Sequence, residues 1–248
     1  MDFGRLIRVS KDHSLYEKDG VCYKVFDNEH RKTRAFYEAG VHALIEETDI
    51  NIPLVFGVFE DDDKYIIKCE FKDATTLAEL MENDPENTDD YIRDMVELQV
   101  QVHEQKVGGL ALLRYRFSNE IKRLECISEE KRQELLSILS KMPNHDKLCH
   151  GDYKPENIWI TEDGEIFLSE WVLAASGNAS ADVANTYLTL ALDSTETAEK
   201  YLDIYCEKAH TKKEYARAWI PIVAASQLAR GESDERKKLL LFSWLDIV

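Results

Sequence analysis

The sequence predicts an α+β chain: a small antiparallel β lobe first, then a larger, mainly helical lobe. Three observations predict it. The first seventy residues carry short apolar runs divided by turn chemistry, the residues after about 76 carry helical spacing with capping residues, and one further hairpin is set among those helices. In order, residues 14–17 and Val21–Phe26 read as strands around Lys18-Asp19-Gly20, an Asp-Gly hairpin signal. Residues 29–47 read as a helix with Ala35, Phe36, Ala39, Ala43 and Leu44 on one face. Residues 54–59 and 65–71 read as strands joined by the acidic turn Glu60-Asp61-Asp62-Asp63. The lobe boundary is expected near residues 70–74, giving domains 1–73 and 74–248. Beyond it, Thr76 is expected to cap a helix over 77–81, Thr88 one over 89–104 with acids in its first turn, and Ser128 one ending at Lys141 before Pro143. Four more helices are expected at 181–192, 198–208, 212–229 and 233–245.

Composition narrows the classes. A length of 248 residues with 44% hydrophobic content supports one large domain or two lobes. The 48 acidic against 31 basic residues give a net charge of −17, which disfavours nucleic acid and anionic membrane as partners and favours a cationic small molecule. Five cysteines, odd in number and without C-x-x-C spacing, argue for free thiols in a reducing compartment, so a cytoplasmic location is expected. No apolar leader or membrane-length run occurs, and a monomer or weak dimer is expected.

The chemistry concentrates in Leu148-Cys149-His150-Gly151-Asp152-Tyr153-Lys154-Pro155-Glu156-Asn157. An Asp five residues before an Asn, in a loop between two apolar runs, is the spacing of a kinase catalytic loop. There the Asp must reach the attacking hydroxyl and the Asn must present its amide oxygen to Mg²⁺. The same residues also read as turn formers between strands. Downstream come a second strand, Ser169-Glu170-Trp171, and Gly177-Asn178-Ala179-Ser180-Ala181-Asp182-Val183-Ala184 leading into an apolar helix. With these segments in view, the chain resembles the aminoglycoside phosphotransferase and choline kinase family, from Leu6 to about Leu245 and most specifically over 148–190.

The resemblance implies a bilobal, protein-kinase-like fold and Mg²⁺-dependent transfer of the ATP γ-phosphoryl group to a hydroxyl of a small molecule, of aminoglycoside, choline or homoserine type. It implies Asp152 as the catalytic residue, Asn157 and Glu170 as metal ligands, and His150 and Asp182 as supports of the loop. It also implies a nucleotide site. Lys24 would hold phosphate, paired with Glu38 (Glu46 and Glu47 being fallbacks), and the segment ending in Glu70 and Phe71 would pass the adenine edge. Ser10 and Ser14 would contact phosphate from a first loop that contains no glycine. The departure from the family pattern is Glu170, where the family has Asp. Its longer arm would displace the ion or change its denticity. A nucleotide-binding pseudokinase with a regulatory or scaffold role is therefore the alternative. His103, by contrast, reads as a helix histidine without chemistry, and Trp171, Trp219 and Trp244 as core or cleft wall.

Overall fold

A computed structural model describes residues 2–10, 12–27, 32–231 and 234–246. The expected helix starts at 29 and 233 and Lys11 of the first loop lie outside the described residues. In chain order the elements are β1 (Arg5–Val9), β2 (His13–Lys18), β3 (Val21–Phe26), α1 (Lys32–Ile45), β4 (Val55–Asp61), β5 (Lys64–Glu70), β6 (Ala74–Thr76), α2 (Leu77–Asn83), α3 (Thr88–Glu104), α4 (Leu113–Arg123), α5 (Glu129–Lys141), β7 (Lys147–Cys149), β8 (Ile158–Thr161), β9 (Ile166–Leu168), β10 (Ala175–Gly177), α6 (Ala179–Ala191), α7 (Thr195–Lys208), α8 (Lys213–Arg217), α9 (Ile220–Arg230) and α10 (Glu235–Trp244).

The chain divides into two compact units, 1–83 with 156–172, and 84–155 with 173–248. It therefore passes between them three times, where the sequence reading places one crossing at 73/74. An antiparallel sheet unit and a helical unit make this an α+β fold.

The first unit is built on a five-stranded antiparallel sheet in the order β1-β2-β3-β5-β4. Asp19 (φ 53°) and Gly20 (φ 75°) turn β2 into β3, as the Asp-Gly pair predicts. Asp62 and Asp63 do the same between β4 and β5 with φ of 46° and 59°. On one face Phe26, Ala35, Ala39 and Ile67 form a buried cluster under α1, with Val55, Val58 and Tyr65 packed around it. This burial of apolar area holds α1 in register with β3. A second sheet, β6-β8-β9, completes the unit. Thr76 caps α2 through a reciprocal box: its N–H donates to Glu79 Oε2 (2.9 Å) and its Oγ1 accepts from Glu79 N–H (3.2 Å).

In the second unit, β7 pairs with β10 among helices. Ser128 caps α5 as expected, accepting from Lys131 N–H at 3.2 Å. Thr88 does not cap α3. It is the first helical residue, and its hydroxyl donates to Pro85 O at 2.9 Å across the preceding turn. The helix expected over 212–229 is two, α8 and α9, because Pro221 lacks the N–H that would continue the ladder and instead starts α9. Helix α4 was not foreseen; it buries only Leu113, Phe117 and Ile121, at i, i+4 and i+8, in an otherwise charged run. Trp171 and Trp219 are core residues of their units. Among the described residues no helix is long and apolar enough to cross a membrane.

Candidate active site

In the first unit, β3 alternates so that Cys22, Lys24 and Phe26 share the face covered by α1. Lys24 is buried there, and Nζ donates to Glu38 Oε1 at 2.5 Å. Glu38 reaches it from the buried side of α1, next to Ala39. Nζ also lies 2.9 Å from Glu170 Oε2 and 3.0 Å from Oε1. Burial alone would depress the Lys24 ammonium, but the Glu170 and Glu38 charges and their hydrogen bonds outweigh it and hold it above its ordinary value. Burial would likewise raise Glu170; Lys24, His13 and the Lys24 hydrogen bond reverse this and hold the carboxylate below its usual range.

The array continues through residues that the sequence reading did not single out. His13 Nε2 is 3.6 Å from Glu170 Oε1, and His13 Nδ1 is 2.8 Å from Asp12 Oδ1. Arg34 of α1 is ion-paired with Asp12. The His13 hydrogen bond, opposed by burial and helped by Arg34, holds Asp12 well below the carboxylate range. These contacts join a strand end to a helix across distant positions, so no local spacing announces them.

Glu170 takes φ 64°, a left-handed conformation uncommon for a residue with a long side chain. Its neighbour Ser169 fixes the backbone there. Ser169 N–H donates to Asn157 O (3.0 Å), and Ser169 Oγ accepts from Trp159 Nε1 (3.0 Å). The segments carrying Asn157 and Glu170 are thus hydrogen-bonded neighbours within one unit, and Asn157 is buried. One amide and one carboxylate oxygen suit a hard cation such as Mg²⁺, which takes one or two carboxylates and completes its octahedron with water and substrate phosphate. Among the described residues no group of three or more His, Cys, Asp or Glu could hold a metal ion. Glu38 Oε2, buried without a hydrogen-bond partner among the described residues, is a further acceptor on the Lys24 face.

The other nucleotide-site candidates are placed less uniformly. Ser14 pairs with Val25 while Leu15 pairs with Lys24, so the Ser14 side chain lies on the opposite face of the sheet from Lys24. Ser10 sits in the β1–β2 turn, its N–H donating to His13 O at 2.9 Å. The N–H of Glu70 is committed to Leu54 O at 2.8 Å, and its carboxylate accepts from Leu54 N–H at 3.3 Å. Phe71 follows β5, half-buried. The fallback Glu46 instead binds Val55 N–H at 2.7 Å.

In the second unit, β7 runs into the loop that carries Asp152. Asp182, in the first turn of α6, accepts from His150 N–H (3.0 Å) and Gly151 N–H (2.7 Å). His103 Nε2 lies 3.1 Å from the same carboxylate, and His103 Nδ1 is 2.7 Å from Tyr205 Oη. His103, a residue of α3, is thus wired to the loop's support. Burial would raise Asp182, but His103, His150 and the Gly151 N–H hold it below its usual range. Gly151 has φ 83°, and a Cβ there would stand 2.3 Å from Leu173 O, so no other residue fits. Further anchors are Asn185 Nδ2 to Gly151 O (3.1 Å), Thr186 Oγ1 to Tyr153 O (2.9 Å) and Tyr153 Oη to Met95 O (2.6 Å). His150 Nδ1 accepts from Asp152 N–H at 3.2 Å. On this pinned loop the Asp152 carboxylate stays one-third exposed, 2.9 Å from Lys154 Nζ.

A family model described as "Phosphotransferase enzyme family" matches residues 19–219. Among solved structures, the choline kinase LicA from Streptococcus pneumoniae superposes with a TM-score of 0.67 at 15% identity, covering 99% of this chain and 93% of that one. Aminoglycoside phosphotransferase APH(4)-Ia gives a TM-score of 0.71 at 13% identity, covering 97% and 90%. Aminoglycoside phosphotransferase APH(2'')-Ib gives 0.61 at 17%, covering 98% and 91%. No curated protein sequence matches the chain.

Proposed function

Since the chain belongs to the phosphotransferase enzyme family, we propose that it moves the γ-phosphoryl group of ATP, with Mg²⁺, to a hydroxyl of a small molecule. The observation that carries this reading is the Asp152 loop: an accessible carboxylate on a backbone pinned from below by Asp182, five residues before Asn157. Asp152 accepts the acceptor's hydroxyl proton or orients that hydroxyl. Lys24, held by Glu38, supplies a positive charge for nucleotide phosphate. Asn157 and Glu170 would hold Mg²⁺, which when bound neutralises charge on the phosphates. His150 and Asp182 position the loop. Phe71 and the Glu70 carbonyl would border adenine, and Ser10 the phosphates. Little covalent work falls to these residues; positioning and charge stabilisation dominate.

Solved neighbours support the ligand classes. LicA has been crystallised with AMP, and APH(4)-Ia in ternary complexes with a nucleotide and hygromycin B. The test is a panel of hydroxylated amines, sugars and amino acids with ATP and Mg²⁺, read by ADP release. Release that depends on one acceptor class and disappears in Asp152→Asn supports the enzyme and names the acceptor. One observation favours the alternative, a nucleotide-binding pseudokinase: both Glu170 oxygens are engaged with Lys24. Mg²⁺-dependent ATP binding without release on any panel member would establish that alternative.

A further inference from the structure

We propose that Cys22 and Cys69 form a reversible disulfide across β3 and β5 and that this bond weakens nucleotide binding at Lys24; the second half rests on the function proposed above. The two residues stand directly opposite each other on adjacent antiparallel strands. Glu70 directs its N–H to Leu54 on the far side. Alternation therefore turns the N–H and C=O of Cys69 toward Cys22, which makes this a hydrogen-bonded pair with Cα atoms about 5.5 Å apart. That separation falls within the roughly 4.4–6.8 Å that disulfides span. Directly opposite Cβ atoms in such pairs lie about 4.5–5.5 Å apart. A disulfide needs about 3.8 Å, so at this hydrogen-bonded pair the strands must pinch by about 1–2 Å and the bond carries strain. Strained disulfides are the labile, regulatory ones.

The two cysteines are already in contact. The Cys69 thiol donates to Cys22 O at 3.7 Å. The neighbouring Cys69 side chain, opposed by burial and aided by the Lys24 ammonium, holds the Cys22 thiol below its ordinary value. The Cys22 side chain and burial push Cys69 well above its own. Oxidation at Cys22 first, with Cys69 resolving, gives the same bond as the reverse order. With a peroxide as oxidant, the Cys22 thiolate attacks one oxygen; an S–O bond forms, the O–O bond breaks and, with a proton, water leaves. The Cys69 sulfur then displaces the sulfenic oxygen; the S–S bond forms and a second water leaves. Two thiols lose two electrons and two protons, and hydrogen peroxide takes up both. Both cysteines are half-buried, and Lys24 follows Cys22 by two residues on the same face, so a pinch at 22 displaces the ammonium's strand.

The experiment uses the full chain with Cys126→Ser, which removes an exposed thiol. Peroxide-treated protein is digested without reduction and examined by mass spectrometry, and Mg²⁺-ATP affinity is measured before oxidation, after it, and after dithiothreitol. The expected result is a linked pair of peptides carrying Cys22 and Cys69, two hydrogens lighter than the thiols. Affinity falls by a factor within roughly 5–150, and dithiothreitol restores it. By reciprocity, saturating Mg²⁺-ATP should slow the oxidation. Cys69→Ser, which keeps one thiol, should form no link and keep its affinity. An unlinked, singly oxidised Cys22, or a Cys69→Ser protein that loses affinity as the parent does, would overturn the proposal. If the reduced protein binds no Mg²⁺-ATP, the nucleotide half falls with the functional reading, and the mass measurement decides the bond by itself.

Discussion

Lys24→Met tests the charge array most sharply. Lys24 and Glu38 keep 8% and 9% of their side chains exposed, and Glu170 keeps 26%. Methionine preserves the length of the side chain and removes the charge, leaving two carboxylates facing the space that one ammonium neutralised. Removing one partner of a buried ion pair costs about 3–5 kcal/mol. Because Glu170 retains access to solvent, the lower bound applies, about 3 kcal/mol. At about 2–4 °C per kcal/mol for a chain of this size, thermal unfolding should fall by roughly 6–12 °C near pH 7.5. The pH dependence supplies the signature. In the parent Lys24 holds Glu170 below its ordinary value, so that contribution is present above the ordinary value and is lost as pH falls through the folded one, while the variant lacks it throughout. The gap between parent and variant should narrow as pH falls below that ordinary value, and Lys24→Met/Glu170→Gln should recover part of it near pH 7.5. Unfolding within about 1 °C of the parent, or a gap that widens in acid, would show that Lys24 does not neutralise the two carboxylates.

Three further outcomes follow from the same contacts. Asp152→Asn should leave the fold intact, since the exposed Lys154 pair is worth about 1 kcal/mol or less, while turnover drops by roughly 10²–10⁴; parental turnover in steady-state assays would remove Asp152 from its role. Asp182→Asn should lose about 2–4 kcal/mol in denaturant titrations by weakening the hydrogen bonds from His150, Gly151 and His103. Asp182 lies below its ordinary 3.8 in the fold, so its contribution is complete above that value and fades as pH falls through the folded value; the gap to the variant should close in acid. Glu170→Asp should be tolerated at φ 64°, where Asp is enriched, and should tighten the Mg²⁺ dependence of nucleotide binding, while Mn²⁺ and Ca²⁺ change less. Equal Mg²⁺ dependence in parent, Asp and Gln forms would show that Glu170 does not touch the metal.

What was legible in the sequence was local. The Asp19-Gly20 hairpin, the Thr76 and Ser128 caps and the Asp152-to-Asn157 spacing each place chemistry within a few residues, where backbone geometry follows from residue type. Glu38 was accessible to the same reasoning because it lies beside Ala39 on the buried side of α1. The Asp12-His13 extension was not, since it depends on which strand end meets Glu170 and Arg34 across the fold. His103 looked like an ordinary helix residue because Asp182 and Tyr205 are distant in the chain. Helix α4 was hidden by its own charges, which leave three apolar residues to carry the period. The split at Trp219 was the opposite failure: an apolar period running past Pro221 suggested one helix where the missing N–H makes two.

The central claim is phosphoryl transfer to a small-molecule hydroxyl, and isotope transfer tests it most directly. The full chain is incubated with Mg²⁺ and ATP carrying ¹⁸O in its γ-phosphoryl group, together with the acceptor that gives most ADP release. The products are then weighed by mass spectrometry. The expected product is a phosphorylated acceptor bearing the three labelled non-bridging oxygens, formed by the parent and lost with Asp152→Asn. Label found only in free phosphate, or an equal yield of phosphorylated acceptor from parent and variant, would contradict it.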